Sequence, residues 1–248
     1  MRHAATATEY VAGLMRRPAA PARVLGRFDT ACYLELADGS VLAVLTADAV
    51  QLPIGLTVAG LGRFPDVSAA VVGDGRVQLG PLSIEAARVR SARLRPAGLP
   101  QVPAEPSPLL TDPEAAVATR LGRGPGLTPA GDDELCGALA GLALFGTAGS
   151  RAAEFDGAEP DGARLREAVL ARLTDRRATT SLSAALLRRA VAGDGLPELQ
   201  RLGEALCGRG SVAAATEAVL RIGHSSGAAL AAGLHSSAGH LAARTVAA

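Results

Sequence analysis

The spacing of apolar residues changes once along the chain and divides it into two parts. From residue 23 to about residue 94, apolar and polar positions alternate in short runs, such as 32–36 and 41–45, with turn residues between them. This alternation is typical of half-buried strands. We therefore predict a small antiparallel, β-barrel-like N-terminal part, preceded by one short helix within 6–16.

Beyond residue 113 the apolar positions follow the helical period. The pattern predicts helices at 113–121, 129–147, 161–174, 179–192, 196–208, 211–222 and 226–245, with a polar surface loop at 148–160. Prolines are concentrated between the two parts. The predicted fold is α+β, with a strand-rich domain over 1–95, a proline-rich linker over 96–112 and an all-helical bundle over 113–248.

Composition narrows the classes of function. The net charge is +1, no block of basic residues occurs and aromatic residues make up 2% of the chain, which disfavours nucleic-acid binding. All 25 basic residues are arginine, so a lysine nucleophile or Schiff base is excluded. Three widely spaced cysteines, no apolar run of transmembrane length and no signal-like start predict a cytoplasmic protein that makes no membrane contact.

The most specific motif is the run GRGPGLTPAGDD at residues 122–133. Alternate glycines permit positive φ angles and leave backbone N–H groups open to a ligand. Thr128 and Pro129 have the residue types of a helix start, where free N–H groups and the positive end of the helix dipole attract an anion. We therefore expect Gly124, Gly126 and Thr128 to hold a phosphate or a carboxylate.

Asp132 and Asp133 follow in the first helical turn, where we expect them to be partly exposed. Two carboxylates beside an anion site would repel the anion unless a Mg²⁺ ion or the NH₂ group of an amide-type substrate lay between them. The plain structural alternative is a Gly-Pro turn whose acidic residues match the helix dipole.

Two further motifs also precede predicted helices. In IGHSSG (222–227), Ser225 or Ser226 has the residue type of a cap, and His224 is either a proton donor or an ordinary loop residue. In TTSLS (179–183) the hydroxyls are expected to cap a helix. Arg176 or Arg177 just before it is a candidate partner for a substrate carboxylate.

Glycines on the predicted helices indicate how these motifs meet. Gly137, Gly141, Gly227 and Gly233 have small neighbours, which favours close helix–helix contact. Such contact would bring the loop before residue 129 and the loop before residue 226 to one site.

Three segments together resemble the AllH-like family: GRGPGLTPAGDDELCGALAGL (122–142), TTSLS (179–183) and IGHSSGAALAAGL (222–234). The resemblance implies a subunit of oxamate carbamoyltransferase, the complex that ends anaerobic allantoin degradation. That complex converts oxalurate and phosphate to oxamate and carbamoyl phosphate, and it needs partner subunits of two other families.

The resemblance also implies a set of site residues. Asp132 and Asp133 would accept hydrogen bonds from the carbamoyl NH₂ group or hold a metal, while His224 would assist proton movement or polarise a carbonyl. The predicted site comprises catalytic Asp132, Asp133 and His224 and substrate-binding Gly124, Gly126, Thr128, Thr180, Ser225 and Ser226.

Two other functions remain as alternatives. One is a non-catalytic ligand-binding or scaffolding subunit, whose partner carries out the chemistry. The other is a metal-dependent hydrolase resembling ADP-ribosylglycohydrolases, which would need more metal-binding carboxylates than Asp132 and Asp133.

Overall fold

The computed structural model describes residues 2–146 and 162–247, so the loop predicted at 148–160 lies outside the described residues. The chain forms two units, Met1–Ala92 and Arg93–Ala248. No helix among the described residues is both long and apolar enough to cross a membrane. The three cysteines of the chain, Cys32, Cys136 and Cys207, form no disulfide bond.

The first unit is a closed barrel of eight strands. The strands are β1 (Arg2–Thr8), β2 (Ala20–Arg27), β3 (Ala31–Leu36), β4 (Val41–Thr46), β5 (Gly55–Val58), β6 (Ala69–Gly73), β7 (Arg76–Leu79) and β8 (Leu82–Arg90). Around the barrel they follow the order β1-β5-β4-β3-β2-β6-β7-β8. The barrel prediction is confirmed, but the sheet is mixed, because β1 pairs with β8 and β4 with β5 in parallel.

The start of the chain differs from the prediction. Residues up to Thr8 form β1, and the helix α1 (Glu9–Met15) is shorter than the predicted 6–16. The Thr8 hydroxyl accepts a hydrogen bond from the Val11 N–H (3.3 Å) and so caps α1. Leu14 and Met15 on α1 are buried in the same apolar cluster as the inward-facing side chains of the barrel.

The second unit is helical. Its helices are α2 (Pro108–Thr111), α3 (Pro113–Arg120), α4 (Ala130–Phe145), α5 (Ala163–Arg172), α6 (Ser181–Val191), α7 (Pro197–Leu206), α8 (Val212–Leu220) and α9 (Ser226–Ala247). The helices predicted from residue 113 onward are confirmed, with ends shifted by a few residues at most.

The proline-rich residues 96–112 belong to this helical unit. Three of their N–H groups donate to carbonyl oxygens of the bundle, and α2 lies at their end. The pairs are Ala97 to Leu144 (2.6 Å), Gln101 to Leu206 (2.7 Å) and Glu105 to Gly239 (3.0 Å).

Glycine allows α4 and α9 to pack with their backbones in contact. A Cβ at Gly137 would overlap the Leu230 carbonyl oxygen, and a Cβ at Gly233 would overlap that of Glu134. The predicted role of glycine in close helix contact is thus confirmed for this pair. Gly137 of α4 contacts Leu230 of α9, and Gly141, one turn later, contacts Leu234. The two helices therefore run in the same direction, and their N-termini lie at the same end.

Candidate functional site

Three helix N-termini meet at one point of the helical unit. The Thr128 hydroxyl, just before α4, lies 3.2 Å from the Ser226 hydroxyl at the start of α9. The Thr180 hydroxyl, which caps α6, donates to the Leu127 carbonyl oxygen (2.5 Å). The three motifs predicted from the sequence therefore lie together, and the positive ends of three helix dipoles point toward the same place.

The glycine loop has the backbone that the sequence predicts. Gly122, Gly124 and Gly126 have φ angles of +71°, +124° and +89°. A Cβ at Gly124 would lie 2.8 Å from the Ala130 nitrogen, whereas one at Gly126 would meet nothing within 4 Å. Gly124 and Gly126 are exposed, and among the described residues their N–H groups have no hydrogen-bond partner. These two N–H groups are therefore open to water or to a ligand.

Asp132 is buried, which contradicts the expectation of partial exposure. It is 1% exposed, and both carboxylate oxygens accept hydrogen bonds from the protein. The Gly122 N–H donates to Oδ1 (2.7 Å) and the Thr179 hydroxyl donates to Oδ2. The side chain thus ties the glycine loop and the segment before α6 to the first turn of α4.

Asp133 is also buried, at 5% exposed, but one of its oxygens has no partner. The hydroxyl groups of Ser226 and Thr128 lie beside the carboxyl, while Oδ2 is buried without a donor among the described residues. Burial raises the pKa of Asp133 from 3.8 to about 6, helped by the charge of Asp132 and opposed by the Ser226 and Thr128 hydroxyls. A buried oxygen without a donor can accept a hydrogen bond from a ligand.

The hydroxyl of Thr180, predicted to bind substrate, is already engaged. It donates to Leu127 and accepts from the Ser183 N–H (3.0 Å), which completes the cap of α6. In this structure Thr180 therefore positions the loop, and Thr128 and Ser226 are the predicted hydroxyls that reach Asp133.

His224 and Ser225 lie at the exposed edge of the site. Both residues are exposed, and no hydrogen bond or ion pair among the described residues joins His224 to Asp132 or Asp133. The Ser225 carbonyl oxygen accepts from the Ala229 N–H (3.2 Å) in the first turn of α9.

The donor set does not fit the Mg²⁺ ion that the sequence suggested for Asp132 and Asp133. Both oxygens of Asp132 face N–H and O–H donors, which leaves them turned toward the protein. Within the described residues no group of three or more His, Cys, Asp or Glu side chains is arranged to hold a metal. A hard cation takes several oxygen ligands, and Asp133 alone does not supply them.

Three neighbours of the site were not among the predicted site residues. The Thr179 hydroxyl donates to Asp132, but its position two residues before α6 is that of an ordinary helix start, so no local pattern distinguished it. Arg123 lies inside the glycine loop and is exposed. Burial and the charges of Asp133 and Asp132 raise the pKa of the Cys136 thiol well above its usual value, so this neighbour stays uncharged.

Comparison with known proteins gives one match. The family model described as oxamate carbamoyltransferase subunit AllH matches residues 120–238, which contain the glycine loop, the start of α6 and the start of α9. Searches of curated proteins and of solved structures found no match. The predicted resemblance is confirmed, because the AllH family model matches residues 120–238, and this match supports neither a metal-dependent hydrolase nor a pure scaffold.

Proposed function

We propose, from the match of residues 120–238 to the AllH family model, that this chain is the AllH-type subunit of a carbamoyltransferase complex. Its substrate is a small ureido acid such as oxalurate, with phosphate as the second substrate. Protein subunits of other families complete the active complex. The family match supports the subunit, and the chemistry of the site supports the class of substrate.

One observation carries this proposal: the buried Oδ2 atom of Asp133 has no donor among the described residues. A carbamoyl group ends in NH₂, which supplies such a donor and which an oxygen-only substrate lacks. With a pKa of about 6, the carboxyl is mostly ionised at neutral pH and accepts the N–H group strongly.

The proposed reaction forms one bond to the ureido carbonyl carbon and breaks another. A phosphate oxygen bonds to the ureido carbonyl carbon, and the bond from that carbon to the nitrogen of the oxamate part breaks. The departing nitrogen takes the proton of the phosphate, so that carbamoyl phosphate and oxamate result. Holding the NH₂ group at Asp133 fixes the carbonyl carbon in place for this exchange.

The remaining residues serve this arrangement. The open N–H groups of Gly124 and Gly126 and the three helix N-termini stabilise negative charge on the ligand. Asp132 and Thr180 hold the loop in position. His224 and Ser225, at the exposed edge, are placed to move a proton between the ligand and solvent or a partner subunit.

Replacement of one carboxylate tests the proposal. Asp133→Asn puts a second donor where the NH₂ group binds, and we expect carbamoyl phosphate formation by the reconstituted complex to fall by about two orders of magnitude or more. Asp74→Asn is the control, because Asp74 is exposed in the barrel and has a φ of +48° that Asn also adopts. Unchanged turnover by the complex carrying Asp133→Asn would refute the proposed role.

A further inference from the structure

Two exposed arginines border the site where the glycine loop touches the segment before α6. A Cβ at Gly122 would overlap the Ala178 carbonyl oxygen, so these two backbones are in contact. Arg123 follows Gly122 and Arg177 precedes Ala178, and both residues are exposed. The contact therefore places two guanidinium groups on neighbouring stretches of chain.

The backbone of each arginine is held in place. The Arg123 N–H donates to the Arg120 carbonyl (2.9 Å), and the Arg123 carbonyl accepts from the Gly131 N–H at the start of α4 (2.9 Å). The Arg177 N–H donates to Oδ1 of Asp175 (2.9 Å). Long side chains therefore start from fixed positions beside the open N–H groups of the loop.

Both guanidinium groups are available to a ligand. Nearby Arg120 is paired with Glu134 (2.9 Å) and Arg221 with Glu217 (2.8 Å). In the described part of the chain, the side chains of Arg123 and Arg177 form no ion pair. The charge of Asp175 lies near Arg177, because the Asp175 carboxylate accepts from the Arg177 N–H.

The buried and the exposed parts of the site therefore differ in chemistry. Oδ2 of Asp133 is a buried acceptor, whereas Arg123, Arg177, Gly124 and Gly126 are exposed on the glycine loop and the segment that contacts it. A ligand that fits has a hydrogen-bond donor at one end and an oxyanion at the other.

We infer that Arg123 and Arg177 bind the oxyanion end of the ligand and determine specificity for anionic amides, an inference that rests on the proposed function. Guanidinium groups recognise carboxylate and phosphate through paired N–H donors. The shared chemistry is an oxyanion, supplied either by the carboxylate of the amide acid or by inorganic phosphate.

Isothermal titration calorimetry on the full chain tests whether the two arginines bind the oxyanion of the ligand. The probes are oxamate, its neutral ester ethyl oxamate, and inorganic phosphate. We expect the double variant Arg123→Gln/Arg177→Gln to bind oxamate about ten- to a hundredfold more weakly, since charge-assisted hydrogen bonds are lost. Its affinity for ethyl oxamate stays unchanged, and Arg76→Gln, an exposed arginine of the barrel, leaves all three affinities unchanged.

Each outcome decides one point. Weaker binding of oxamate, with or without weaker binding of phosphate, assigns the arginines to the carboxylate end and supports the inference. Weaker binding of phosphate alone contradicts it, because the arginines then do not select the anionic amide. Unchanged affinity for both anions, an equal loss for ethyl oxamate, or wild-type chain that binds neither anion overturns the inference. Asp133→Asn that still binds oxalurate normally contradicts the proposed function instead, whatever the arginine variants do.

Discussion

Asp132 and Asp133 are adjacent on α4 but have different surroundings, because successive helical residues point about 100° apart. Asp132 faces the glycine loop and Thr179, and both its oxygens accept hydrogen bonds. Asp133 faces Thr128 and Ser226 and keeps one oxygen without a donor. One carboxylate therefore organises the site, and the other is free to bind.

Asp132→Asn is expected to destabilise the protein. An amide accepts through one oxygen only, and its NH₂ group would face a donor, at a cost of roughly 2–3 kcal/mol in the free energy of unfolding. Urea denaturation measures this loss. Asp112→Asn is a matched control, because Asp112 caps α3 and Asn caps about equally well.

A double-mutant cycle checks that the loss passes through the hydroxyl partner. Thr179→Val removes the donor to Oδ2 of Asp132 and should also destabilise the chain. The double variant should lose less stability than the sum of the single variants. Additive losses would contradict a direct link between these side chains.

Asp133→Asn should change stability in the opposite direction and with a clear pH dependence. The folded state keeps the Asp133 proton up to about pH 6, whereas the unfolded chain releases it near pH 3.8. Ionisation therefore favours unfolding progressively across this range, by roughly 3 kcal/mol in total above it. The Asn variant lacks this effect.

Melting temperatures from pH 3.5 to pH 8 test the sign. We expect Asp133→Asn to melt above the wild type at pH 7 to 8 and close to it below about pH 4, where both side chains are neutral. A variant less stable than the wild type at pH 8 would show that the ionised carboxylate is well compensated in the folded protein.

At the scale of helices and strands, the contact between α4 and α9 brings the site together. Gly233→Ala would force a methyl group onto the Glu134 carbonyl oxygen, so the two helices must separate. We expect a loss of about 2 kcal/mol or more in stability, measured by urea denaturation, together with weaker oxamate binding.

The control for this change lies in the same helix. A Cβ at Gly239 would lie 3.4 Å from the nearest atoms, which is about an ordinary contact distance. Gly239→Ala should therefore be neutral or stabilising by up to about 1 kcal/mol, because Ala favours a helix more than Gly does. Equal effects of the two changes would contradict the close packing of α4 and α9.

The sequence predicted elements well where local signals were strong. Long apolar repeats bounded by Gly, Pro and hydroxyl residues located the helices from residue 113 onward. Strand β5 was not predicted as a separate strand, and the last residues of β1, 6–8, were taken for the start of α1. The parallel pairing of β1 with β8 depends on contacts across most of the barrel, which no local pattern contains.

The candidate site shows the same limit. The glycine loop and the loop before α9 were joined correctly through the glycines of α4 and α9, whereas the start of α6 was not predicted to join them. Which aspartate is engaged depends on Thr179, 47 residues away from Asp132, and on the rotation of α4. Local sequence gives neither, so burial of both carboxylates and the free oxygen of Asp133 became visible only in the structure.

At the scale of the whole molecule, the proposed function requires partner subunits. The chain has no lysine, and its site offers one buried acceptor and a group of anion-binding donors. These groups hold a carbamoyl compound but do little to activate phosphate as well. We expect the isolated chain to bind oxamate or phosphate weakly and to show no turnover of oxalurate with phosphate.

Reconstitution measures this dependence. Adding the two partner subunits should start carbamoyl phosphate formation, detected by a coupled assay. Full turnover by the isolated chain would refute the need for a complex. Assembly of the complex should be unaffected by Asp133→Asn, since that side chain is buried within the site.

A crystal structure of the chain with oxalurate tests most directly whether Asp133 holds the carbamoyl NH₂ group. We predict that the terminal NH₂ nitrogen of oxalurate lies within about 3 Å of Oδ2 of Asp133, at hydrogen-bond distance, with the carboxylate toward the N–H groups of Gly124 and Gly126. Oxalurate bound with its carboxylate at Asp133, or bound away from Thr128 and Ser226, would contradict this role of Asp133.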